Sequence, residues 1–79
     1  MNYSKIIKTK RGESLPTDFV TALNNNLGAR EAFEAMPPSH QHEYLEVILE
    51  AKKPETRLRR IDGAIKMIIE WGKSRKRKT

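Results

Sequence analysis

The stretch that decides the fold is PETRLRRIDGAIKMIIEWG, residues 54–72. Pro54 suits a first helical position, where its missing N–H would have had no intrahelical partner. Glu55 adds an acid to the first turn, facing the positive end of the helix dipole. Leu58, Ile61, Ile65 and Ile68 then follow at spacings of three, four and three. That spacing places them on one seam of the kind found in helix bundles. Ala64, Met67 and Trp71 widen the seam, and Gly72 reads as the C-terminal stop. Gly63 sits inside the helix at a cost of roughly 1 kcal/mol against alanine. It marks either a close helix crossing or a hinge.

Such a seam needs other helices to cover it, and the prolines and asparagines upstream divide the chain into three more. Leu15, Pro16, Thr17 and Asp18 open the first, with Phe19, Ala22 and Leu23 as its apolar stripe. Asn24, Asn25 and Asn26 stop it, because asparagine prefers turns and caps. Asn26 is a natural N-cap for the second helix, from about Leu27 to Met36. There Ala29, Ala32, Phe33 and Met36 fall on one face. Pro37 and Pro38 end it, since proline disfavours helical geometry in the preceding residue. The third runs from Pro38 or Ser39 to about Lys52, with Gln41, Tyr44, Leu45, Ile48 and Leu49 facing inward. Short connections predict that successive helices pack as antiparallel neighbours. The expected fold is all-α, a single four-helix domain over residues 15–72. Its expected core is Phe19, Leu23, Phe33, Met36, Tyr44, Leu45, Ile48, Leu58, Ile61, Ile65 and Ile68, with Trp71 covering one end.

Seventy-nine residues leave room for one small domain. The chain has no cysteine, so disulfides and thiolate metal sites are excluded. No run approaches the ~18 apolar residues of a membrane-spanning helix. The formal net charge of +6 is unevenly spread. Residues 1–11 carry four bases and no acid, and residues 73–79 carry five bases and no acid. Residues 12–72 hold seven bases and ten acids, a net of −3. Residues 1–14 therefore read as a basic extension and residues 73–79 as a basic tail. Both are expected to be mobile, as blocks of like charge repel. No stretch alternates apolar and polar strongly enough to read as a strand; Tyr3–Lys10 is the weakest candidate, and an edge strand there has nothing obvious to pair with. The first residues have no apolar core or cleavage site of a signal peptide, which points to the cytoplasm.

Little in the chain suggests catalysis. The serines lie in termini, turns or tail, and no nucleophile elbow, Walker motif or dinucleotide fingerprint occurs. No cofactor is implied. His40, His42 and Glu43 invite a metal reading, but two histidines at i, i+2 on a helix point roughly opposite ways. The richest cluster is residues 51–61, with Lys52, Lys53, Arg57, Arg59 and Arg60 against Glu55. One reading is a site for an anion or a protein partner, built on Lys52, Lys53, Arg57 and Arg60 at a helix N-terminus. The other is a set of structural ion pairs. Glu50 would then meet Arg57, Glu46 would meet Arg60 or Arg57, and Glu55 would meet Arg59. A separate possibility is nucleic-acid binding through Arg59 and the tail residues Lys73, Arg75, Lys76, Arg77 and Lys78. It would act on phosphates and be sensitive to salt. Val20, Val47 and Ile69 lie off the main stripes and are either exposed or part of a dimer face.

The pattern Leu15-Pro16-x-Asp18-Phe19, Ala22-Leu23, Asn26, Ala29-x-x-x-Phe33, Tyr44-Leu45, Ile48 and Ala51-Lys52-x-x-Glu55-Thr56-Arg57-x-Arg59-Arg60-Ile61 resembles a bacterial family. It is the family called YdeI or OmpD-associated, or bacteriocin-protection. The most specific part is residues 51–61; Leu27 stands where members often have proline. Members often carry another domain ahead of this helical module, and residues 1–14 are too few for one. The resemblance implies a small helical protein without known catalysis. It also implies a role in envelope stress or bacteriocin protection, and contact with a partner protein.

Overall fold

A computed structural model describes residues 7–76, with side chains as far as Ser74. Four helices follow in order: α1 (Thr17–Asn24), α2 (Leu27–Ala35), α3 (Pro38–Glu50) and α4 (Pro54–Lys76). The all-α, four-helix reading is correct, and most boundaries follow from local chemistry. The Asn26 side chain accepts a hydrogen bond from the Ala29 N–H at 3.1 Å, capping α2. Pro38 occupies the first turn of α3. Met36 and Pro37 are extended, with ψ of 148° and 155°. They turn the chain away, so α2 and α3 touch little instead of packing as neighbours. The last helix is the organiser: α4 packs on all three others, most extensively on α2.

The core is centred on Phe19 and Phe33, both fully buried, with ring centroids 5.6 Å apart and planes at 87°. Edge-to-face packing of this kind suits the aromatic quadrupole. Leu23, Met36, Ile48 and Ile68 are also fully buried. Three residues expected inside are outside: Leu58 (68% exposed), Met67 (60%) and Leu49 (50%). The buried face of α4 centres on Ile61, Ala64 and Ile68. Leu58 and Met67 lie roughly 90° to either side of that centre at about 100° per residue. Leu15, Ala29, Ala32, Ala51 and Ala64 are buried in their place, so small residues fill much of the core. Of the residues off the main stripes, Val20 and Ile69 pack against this core, while Val47 is exposed.

Neither glycine of α4 has the role expected of it. A Cβ on Gly63 would meet nothing within 4 Å, so no helix crosses there. A Cβ on Gly72 would lie 2.8 Å from the Ala32 Cβ. Gly72 is thus the close crossing of α4 on α2, and the helix continues through it to Lys76.

Residues 7–14, expected to be mobile, form a fastened loop. Lys8 and Ser14 make an isolated antiparallel bridge. The Leu15 N–H donates to the Ile7 carbonyl at 3.0 Å, and the Thr9 N–H to the Glu13 carbonyl at 2.9 Å. Gly12 sits at φ +87°, a conformation open to glycine without strain. Gln41, 1% exposed, fixes the loop to the domain. Its Oε1 accepts from the Lys10 N–H at 2.7 Å, and its Nε2 donates to the Phe33 carbonyl at 2.6 Å. Among the described residues no helix is long and apolar enough to cross a membrane.

Candidate functional site

The basic cluster forms the corner between α3 and α4. Ala51 is buried, and the tight turn that follows leaves Lys52 and Lys53 exposed to solvent. The α4 N-terminus then presents Arg57 and Arg60 on its half-buried side. Arg57 does not reach Glu50. Its Nε donates to Asp18 Oδ2 at 2.7 Å and its Nη2 to Asp18 Oδ1 at 3.3 Å, a two-pronged tie to α1. This hydrogen bond, opposed by partial desolvation and reinforced by the guanidinium charge, holds the Asp18 carboxyl below the usual aspartate range. Arg60 takes Glu50 instead, at 3.4 Å, and donates to the Val47 carbonyl at 2.9 Å. The two arginines are therefore held as structural ties, while their edges remain at the surface. Lys52, Lys53 and Arg59 have no ion-pair partner among the described residues, so the expected pair of Glu55 with Arg59 does not form.

Sequence reasoning places Asp18 at the opening of α1 and misses its role as partner of Arg57. The two residues are 39 apart, and no local pattern links them. It also misses the grouping around His42. Its Nδ1 lies 2.7 Å from Glu13 Oε2 in the N-terminal loop, and its Nε2 lies 3.2 Å from Glu46 Oε2. Glu46 thus turns to its own helix and not to an arginine of α4. Desolvation pushes the Glu13 carboxyl up. Hydrogen bonds from His42 and Thr9, with the His42 and Arg11 charges, outweigh it and hold the group below the usual glutamate range. The two carboxylates bind opposite ring nitrogens and do not converge. Among the described residues no group of three or more His, Asp or Glu side chains is arranged to hold a metal ion. His40 stands apart, its ring centroid 6.2 Å from that of Trp71.

Lys73 is exposed on α4, and Arg75 and Lys76 continue the helix. Arg77, Lys78 and the side chains of Arg75 and Lys76 lie outside the described residues. Arg59 points away from the Arg57–Arg60 side, so the cluster divides into a corner group and an outer group. The corner presents two exposed lysines and two guanidinium planes held in place, all donors and no free acceptor among the four side chains.

No curated protein and no solved structure matches the chain significantly. A family model does, over residues 14–70, a span that runs from the end of the N-terminal loop across all but the last turns of α4. With that span covering well over half of its length, the chain belongs to the bacteriocin-protection, YdeI or OmpD-associated family.

Proposed function

We propose that this chain is a non-enzymatic protein-interaction module acting in stress or bacteriocin protection. The α3–α4 corner is its contact surface. Lys52 and Lys53 carry the reading: both are exposed, and neither is used in an ion pair among the described residues. Arg57 and Arg60, already oriented by Asp18, Glu50 and the Val47 carbonyl, add fixed donors beside them. Preorganised donors bind with less loss of side-chain freedom. The partner that fits is a protein presenting carboxylates to this corner. The family description supports a protective role.

The test is capture of a partner from native lysate by the full chain and by a Lys52→Glu, Lys53→Glu double variant. The variant should lose capture while its thermal midpoint stays unchanged, because neither lysine holds the fold. Undiminished capture would sink the reading. Capture that disappears on nuclease treatment would move the function to nucleic acid.

A further inference from the structure

The outward side of α4 carries a strip of charges, most of them in no ion pair among the described residues. At about 100° per residue, Glu55, Arg59, Asp62, Lys66, Glu70 and Lys73 fall within one strip about 80° wide. All six are exposed. Their signs alternate along the helix, starting negative and ending positive. Reversing the helix about Ala64 brings Glu55 onto Lys73 and Asp62 onto Lys66, and sets Arg59 beside Glu70. Every acid meets a base. A strip of one sign, or one symmetric about its centre, would repel itself under the same operation. Of the six, only Asp62 and Lys66 form an ion pair among the described residues, at 3.5 Å.

An apolar lane runs beside this strip. Leu58 is 68% exposed, and Ile65 and Ile69 are half-buried along the same edge. The reversal that matches the charges carries Leu58 to the level of residue 70. At that level the surface has a cavity of about 320 Å³ between α2 and α4. Gly28, Ala32, Ala35 and Gly72 keep it open, and Ile69 supplies apolar wall. A knob and a hole thus stand at matching positions on one helix edge. An isologous dimer needs this arrangement, since residue i meets j and j meets i across a two-fold axis.

We infer that α4 packs antiparallel against α4 of a second copy of this chain, with Leu58 of each copy entering the α2–α4 cavity of the other. The surface is separate from the α3–α4 corner and does not depend on the function proposed there. Alternating charges would also serve pairs within one helix, so the test must separate the two uses.

Analytical ultracentrifugation of the full chain should show mass rising with concentration from 9.2 kDa toward twice that value. Leu58→Glu should weaken self-association by about tenfold or more, as loss of a central apolar anchor does. Asp62→Lys and Lys66→Asp should each self-associate more weakly, because each places like charges across the axis. An equal mixture of those two variants should recover a mixed dimer. The first variant is basic at both positions and the second acidic at both, so opposite charges face each other again. Circular dichroism checks that each variant is folded. A wild-type chain that stays monomeric at millimolar concentration overturns the inference. So does a mixture that associates no better than its components, or a dimer indifferent to Leu58→Glu.

Discussion

At its entrance α4 is tied down by charge, and at its exit by shape. Arg57 grips Asp18 of α1, and Arg60 grips Glu50 and the Val47 carbonyl of α3, all at partly exposed positions. Further along the helix, Ile68 is fully buried and Gly72 lets α4 settle on Ala32. Charged ties at a surface are individually weak and respond to salt and pH. Apolar contact in a packed core is stronger and responds to volume. One helix therefore carries a tunable end and a fixed end.

The largest break in that contrast should come from Ile68→Ala. Deleting a fully buried isoleucine leaves a cavity and should cost about 2–5 kcal/mol. Chemical denaturation would measure it, and the loss should be the same at low and high salt. Gly72→Ala should follow. Its new methyl would have to push back the Ala32 Cβ, which cannot swing aside, for a loss of about 1–3 kcal/mol. Gly63→Ala is the matched control: with open space around it, alanine should stabilise by up to about 1 kcal/mol. If both substitutions shift the midpoint in the same direction, the assigned crossing is wrong.

The entrance should give the smallest effect. Asp18→Asn should cost under about 1 kcal/mol, given the exposure of the pair. Its signature is in pH. Asp18 is held below its unfolded value, so its contribution is present above that value and is lost as pH falls through the folded one. The wild type should therefore lose more stability than Asp18→Asn between neutral and acid pH. Identical acid limbs would remove Arg57 from the list of ties.

What is legible in the sequence is whatever depends on near neighbours. Pro38, Pro54 and Asn26 fix helix starts through their own backbone chemistry. Phe19, Leu23, Phe33 and Ile48 are core because their stripes are narrow and unambiguous. Leu58 escapes the reading because a seam of 58, 61, 65 and 68 does not say which edge its neighbours cover. The glycines escape it for a related reason: a stop and a crossing look alike until the opposing alanine is placed. The loop of residues 7–14 has no periodicity. Its one available signal is Gly12, a turn residue placed between Thr9 and Glu13. The Lys52 and Lys53 part of the candidate site is visible as composition. The pairing of Arg57 with Asp18 is not, since tertiary contact alone selects it.

Gln41 has a consequence for how the chain comes off the ribosome. Its carboxamide joins the Lys10 N–H, 31 residues upstream, to the Phe33 carbonyl near the end of α2. Domains are synthesised from the N-terminus at about 5–20 residues per second. Residues 7–14 therefore emerge before the side chain that anchors them to the domain. The loop can be fastened through this contact only once Gln41, 31 residues after Lys10, has been made.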